Sequence, residues 1–172
     1  AKGFKQEKNA EKCFYRFDHL IGMKTIIITE GEMDALSLVQ SGFNNVVSVP
    51  DGATAPNSKP TDRKFSYLLS AEEHFMNADT VILCTDSDPS GKHLREELSR
   101  RIGREKCFRV TYPMDFKDMN DVLVKYGEDR VTEVISEAHP YPIEGVVTIN
   151  DITEEAIDLL NQPEHKGLST GW

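Results

Sequence analysis

Residues 80–91 read Thr80-Val81-Ile82-Leu83-Cys84-Thr85-Asp86-Ser87-Asp88-Pro89-Ser90-Gly91. The first six are apolar or β-branched with no alternation, as expected of a strand covered on both faces of a parallel sheet. The character then changes abruptly to two aspartates, a serine, a proline and a glycine. Asp88-Pro89 also has the form of a helix N-cap followed by proline at the first helical position. A buried strand therefore runs into an acidic turn, and a charged helix follows through Ile102.

The same unit recurs on both sides. Upstream, Thr25-Ile26-Ile27-Ile28-Thr29 is a β-branched run ending at Glu30-Gly31. Met33, Leu36 and Val39 then fall at helical spacing, and Gly42 is a stop signal. A second strand is expected at Val46-Val47-Ser48-Val49, a turn at Pro50-Asp51-Gly52, and a polar loop or lid over 53–60. A helix is expected over 62–75. Downstream, Cys107 to Tyr112 reads as a fourth strand. Lys117-Asp118-Met119-Asn120-Asp121 then opens a helix carrying Val122, Leu123 and Tyr126, and one more helix spans 128–138. Four strands alternating with helices predict an α/β, Rossmann-like fold, a mostly parallel sheet flanked by helices. Ligands of such sheets bind at the carboxyl ends of the strands. Those ends carry Glu30, Asp86 with Asp88, and the loop to Asp118.

Beyond Pro140 the pattern breaks down into a linker. Ile152, Ala156, Leu159 and Leu160 form the apolar stripe of an expected helix over 151–161, which the stripe would dock on its own domain or on a neighbouring subunit. No run approaches the ~20 apolar residues of a membrane span. Cys13, Cys84 and Cys107 include no C-x-x-C pair, which argues against a disulfide framework or a self-contained zinc site and for a reducing, cytoplasmic setting. Ala1-Lys2-Gly3 has neither an initiator Met nor a signal core, so the sequence reads as a segment with residues preceding it. The five histidines show no ligand spacing and are expected at the surface.

The net charge of −9 disfavours tight contact with phosphates, but the charge is unevenly distributed. Residues 1–16 hold Lys2, Lys5, Lys8, Lys12 and Arg16 against Glu7 and Glu11, a local +3, while residues 144–172 hold six acids and one lysine. The basic segment, with Lys92 beside the acidic turn, is the expected contact for nucleic acid or nucleotide phosphate. Arg95, Arg100, Arg101 and Arg104 read as a solvated helix face partnered by Glu96 and Glu97.

Carboxylates converging from several strand ends repel one another unless a cation intervenes. Mg²⁺ prefers oxygen ligands and takes one or two carboxylates together with water and substrate phosphates. Asp86 and Asp88 suit that role, although Asp88 equally suits a cap. Glu30, Glu32 and Asp34 equally suit the positive end of a helix dipole. Asp86, Asp88, Ser90, Gly91 and Glu97 match the spacing of an EF-hand loop, but the strand before them excludes that motif, which needs a helix there.

Thr29-Glu30-Gly31-Glu32-Met33-Asp34-Ala35-Leu36 resembles the first motif of the TOPRIM family, and Asp86-Ser87-Asp88-Pro89-Ser90-Gly91 resembles its Asp-x-Asp motif. TOPRIM is the catalytic fold shared by bacterial-type primases, type IA and II topoisomerases and certain nucleases. Ser48-Val49-Pro50-Asp51-Gly52-Ala53 and Lys117-Asp118-Met119-Asn120-Asp121 resemble segments of the phage and Twinkle-like primase-helicases. Gly167-Leu168-Ser169-Thr170-Gly171-Trp172 is similar to the entry into their helicase domain. The resemblance implies a TOPRIM domain over 23–139, the end of a preceding primase subdomain over 1–22, and a linker helix with the start of a helicase domain over 140–172.

It further implies catalytic roles for Glu30, Asp34, Asp86 and Asp88, with Mg²⁺ or Mn²⁺ held by Glu30, Asp86, Asp88 and Asp118. The implied activity is template-directed RNA primer synthesis from NTPs on single-stranded DNA, in a bacterial or phage-infected cell. The implied partner is a replicative helicase domain in a ring oligomer. A zinc ribbon and a helicase P-loop would lie outside these residues. TOPRIM-type DNA cleavage and a non-catalytic scaffold of a helicase are the alternatives.

Overall fold

The structure is a computed structural model and describes residues 11–53, 62–113 and 116–143. The chain divides into two compact units, Ala1–Tyr141 and Pro142–Trp172. Only Pro142 and Ile143 of the second are described, so the expected helix over 151–161 and the helicase-like tail lie outside the described residues, as do Lys2, Lys5, Lys8 and most of the expected lid.

In the first unit, strands β1 (Thr25–Thr29), β2 (Val46–Ser48), β3 (Thr80–Cys84), β4 (Cys107–Arg109) and β5 (His139–Pro140) form one sheet in the order β2-β1-β3-β4-β5. The first four run parallel, and β5 pairs antiparallel with β4. The expected four strands are thus present with a fifth at the edge. Strand β4 is shorter than the expected 107–112, because Val110 makes only a long bond to Leu83 O, 3.4 Å, before the chain leaves the sheet.

Alternation along the strands fills two apolar layers. Ile26, Ile28, Val47, Val81 and Leu83 point to one layer, where Phe14, Leu20, Phe65, Tyr67, Phe75, Leu94 and Leu98 meet them. Ile27, Val46, Ile82 and Cys84 point to the other, with Ala35, Leu38, Met119, Val122, Val131, Val134 and Ile135. Helices α1 (Glu32–Gln40), α5 (Met119–Tyr126) and α6 (Glu128–Ser136) therefore cover one face. Helices α2 (Tyr67–Ser70), α3 (Glu72–Asn77) and α4 (Pro89–Ile102) cover the other.

The single helix expected over 62–75 is instead a 3₁₀ turn, Asp62–Phe65, followed by α2 and α3, with a break at Ala71. Tyr67, Ala71 and Phe75, four apart, keep one face across the break and are buried in the same apolar layer as Phe65 of the 3₁₀ turn. Helix α4 is clamped to this region by Arg101, which bonds Asp62 at 2.9 Å and lies 4.5 Å from the Phe65 ring centroid.

Phe14 edges against Tyr67 and Phe75, and Tyr15 forms a bridge with Ser48, so Phe14 and Leu20 share the core of the sheet, with Phe17 packed against it. At the far edge, Tyr141 donates its hydroxyl to Glu96 on α4, takes Arg104 over its ring, and bonds through its backbone N–H to Cys107 O at 2.8 Å.

Candidate active site

The strand order reverses between β1 and β3: from β1 the chain moves to β2 on one side and then returns to β3 on the other. Ligand crevices of open α/β sheets form at such a point, beyond the carboxyl ends of the strands. Register pairs Thr29 with Cys84, so the residues just past each strand, Glu30 and Thr85-Asp86, emerge side by side.

Glu30 is held there by backbone donors. Its Oε1 accepts from Ala53 N–H at 3.1 Å and its Oε2 from Asp86 N–H at 3.4 Å. Burial raises its pKa above the usual glutamate value, an effect the two N–H groups oppose. Asp34, in the first turn of α1, is 7% exposed and accepts from Asn120 N–H at 3.0 Å. Burial pushes its pKa to about 6, with Asp118 and Glu30 adding repulsion. Asp86 is pushed to about 7 by burial and by the charges of Glu30, Asp34 and Asp118, with Lys117 opposing.

A third segment closes the site. Ser87 N–H bonds Lys117 O at 2.9 Å, drawing 116–118 onto the acidic turn. Asp118 then caps α5, accepting from Asp121 N–H at 2.8 Å, and pairs with Lys117 Nζ at 3.2 Å. Asn120 also accepts from Ser37 Oγ at 3.1 Å, tying α5 to α1 beside Asp34. Glu30, Gly31, Glu32, Asp34, Val49 to Gly52, Asp86, Lys117 and Asp118 line a cleft of about 740 Å³.

The turn at 86–91 owes its shape to Gly91. A β-carbon there would lie 2.3 Å from Asp86 O, so only glycine admits the close approach of the two backbones. Thr85 Oγ1 donates to Gly91 O at 2.8 Å, and Asp88 accepts from Gly91 N–H at 2.7 Å as the N-cap of α4.

The structure thus brings together Glu30, Asp34, Asp86 and Asp118. Asp88 is exposed and outside the cleft lining, though its charge is felt at Glu30. Lys92 is exposed, and Lys12 is paired with Asp51. Sequence reasoning did not single out the Lys117 side chain or the Ala53 N–H, whose positions depend on contacts between distant segments. His93, expected at the surface, is partly buried, with a buried Nε2 that has no hydrogen-bond partner.

The donor set is oxygen-rich and self-repulsive, which suits a hard divalent cation. Among the described residues no three His, Cys, Asp or Glu side chains are gathered as a ready cage. Mg²⁺ does not need one, since it takes few protein ligands and completes its shell with water and phosphate. Glu30, Asp86 and Asp118 are the side chains that could hold such an ion.

Residues 24–112 match the family described as the Toprim domain. The chain is 37% identical to the Twinkle homolog protein, chloroplastic/mitochondrial, of Arabidopsis thaliana, over 99% of this chain and 26% of that protein. It is 39% identical to the primase homolog protein of the same plant, over 83% of this chain and 45% of that one. The chain therefore spans under half the length of these relatives. Among solved structures, the bacteriophage T7 primase domains bound to an RNA/DNA hybrid and dTTP align at a TM-score of 0.56 and 27% identity, covering 70% of this chain and 57% of that one. With its acidic crevice, sheet order and sequence all in agreement, the chain belongs to the Toprim family and is related to the primase domains of the Twinkle and phage T7 primase-helicases.

Proposed function

We propose that this chain is the catalytic core of a DNA primase, joining ribonucleotides on a single-stranded DNA template within a primase-helicase. The observation that carries the reading is the junction of Glu30 and Asp86 at the sheet's switch point, in a cleft of about 740 Å³ whose carboxyls are raised by burial and mutual repulsion. The reaction is attack of a ribonucleotide 3′-hydroxyl on the α-phosphate of an incoming NTP, with release of pyrophosphate. Mg²⁺ or Mn²⁺ would be held by Asp86 and Asp118, with Glu30 beside it as the base, and would supply neutralisation of phosphate charge and acidification of the attacking hydroxyl.

Glu30, whose pKa burial raises above the usual glutamate value, takes the hydroxyl proton on its carboxylate. Asp34 orients the start of α5 through Asn120, which sets Asp118. Lys117, exposed beside Asp118, places a positive charge where the leaving pyrophosphate departs. Lys92 and the basic residues near the N-terminus, Lys2, Lys5, Lys8 and Lys12, guide template and nucleotide. The helicase domain, the ring and a template-reading zinc module belong to the longer protein. An organellar or a bacterial or phage compartment fits the same chemistry. Among the described residues no helix is long and apolar enough to cross a membrane.

The test is primer synthesis by the full-length protein alongside Mg²⁺ titration by calorimetry. Glu30→Gln is expected to keep metal binding and lose synthesis by about 10²-fold or more. Asp86→Asn is expected to lose both. Full synthesis by the Asp86→Asn, Asp88→Asn double variant would overturn the assignment in favour of a scaffold role.

A further inference from the structure

Val49 to Gly52 line the cleft, and the turn they form after β2 is tied down at two points. At its far end, Ala53 N–H donates to Glu30 Oε1 at 3.1 Å, and Ala53 packs against the apolar layer that holds Phe14. At its apex, Asp51 accepts from Lys12 Nζ in an ion pair that spans 39 positions of sequence. Between them Gly52 takes a φ of 63°, which swings the chain back so that the next N–H meets Glu30.

The backbone that carries Lys12 is itself anchored. Phe14 is buried against Tyr67 and Phe75. Tyr15 pairs with Ser48 through two backbone bonds, Tyr15 N–H to Ser48 O at 3.0 Å and Ser48 N–H to Tyr15 O at 3.3 Å. Lys12 therefore reaches Asp51 from a segment fixed beside the start of the turn. The Lys12 and Asp51 side chains are 28% and 37% exposed, so solvent screens their pair only in part.

Resting on the nucleotidyl-transfer reading above, we infer that Lys12 is a positioning residue: through Asp51 it fixes the turn over 49–53 and so keeps the Ala53 N–H on the Glu30 carboxylate. Lys12 then serves the incoming nucleotide indirectly, by holding the base in its place and not by touching phosphate. A misplacement of about 1 Å can cost about 10²-fold in rate, so a modest ion pair far from the chemistry carries weight there.

The experiment compares the parent, Lys12→Met, Asp51→Asn and the double variant in the full-length protein, with thermal unfolding as a check of fold. Hydrogen–deuterium exchange over 49–53 reads the turn, and primer synthesis at varied NTP reads its consequence. Each single variant is expected to speed exchange over 49–53 and to lower kcat about tenfold with the KM for NTP held. The double variant should lose no more than either, because the two residues act as one unit. Lys12→Arg, which keeps the pair, should keep parental values. Parental exchange in both single variants overturns the inference. Faster exchange with parental kcat overturns the role in positioning Glu30 and leaves the primase reading standing. A raised KM in Lys12→Met that adds to the effect of Asp51→Asn makes Lys12 a phosphate contact and overturns the inference as well. A parent that makes no primer overturns the primase reading and the positioning role together, while exchange still decides whether the pair holds the turn. If Lys12→Met unfolds early, Lys12→Gln is measured in its place, and the same outcomes decide.

Discussion

Two carboxyl groups of the cluster hold their protons at pH values where ordinary aspartates are ionised, Asp34 to about 6 and Asp86 to about 7, against 3.8 for a free side chain. The folded state therefore binds protons more tightly than the unfolded one. The stability these groups contribute is full below about pH 4 and is lost as pH rises through about 6 and 7. In chelator, unfolding temperature should be lower at pH 8 than at pH 5.5 to an extent that shrinks in the Asp34→Asn, Asp86→Asn double variant. Adding Mg²⁺ should raise the parent's unfolding temperature more at pH 8, where protons no longer compete for the site. Equal pH dependence in parent and double variant would count against this account. The acids of the cluster were legible in the sequence because each follows a strand or opens a helix. The Lys117 side chain was not, because the contact that draws it to the site, Ser87 N–H to Lys117 O, joins residues 30 positions apart.

Among the elements, the turn from β3 into α4 is the most tightly specified. Its glycine leaves no room for a methyl group against the Asp86 backbone. Gly91→Ala should destabilise the protein by about 1–3 kcal/mol, the usual range for forcing extra atoms into packed structure. The same change should also displace Asp86 and weaken Mg²⁺ binding. Urea unfolding combined with metal titration checks both effects, and a variant of parental stability and affinity would show that the turn relaxes freely. The β-branched runs and the Asp-Pro cap made β1, β2, β3 and α4 readable in sequence. By contrast, β5 was unreadable, since two residues ending in proline carry no periodicity and pair only because the chain returns beside β4. The break at Ala71 was hidden for a related reason: the local pattern is helical, and the apolar layer decides where it bends.

For the whole molecule, charge sets how strongly single-stranded DNA is held. The net charge is −9, and Lys12, one of the basic residues near the N-terminus, is paired with Asp51. The acidic balance opposes phosphates, so binding should be weak and depend on counterion release. Affinity for a labelled oligonucleotide, measured by anisotropy, should fall about tenfold between about 50 and about 200 mM salt. An affinity indifferent to salt would mean that contacts other than phosphate dominate. The α/β class and the family were legible at this scale, while the sharing of Phe14 and Leu20 with the main core was not, because a short basic segment gives no sign of which sheet it lies on.

Tyr141 gives the last described stretch of the first unit a mechanical meaning. Tension on the downstream chain would reach Tyr141 before β5, His139–Pro140, which precedes it in sequence. The load then passes through the Tyr141 hydroxyl to Glu96, and so into α4, the helix whose first turn is the acidic loop. A pull of that kind would load α4 before it peeled the two-residue β5 from β4.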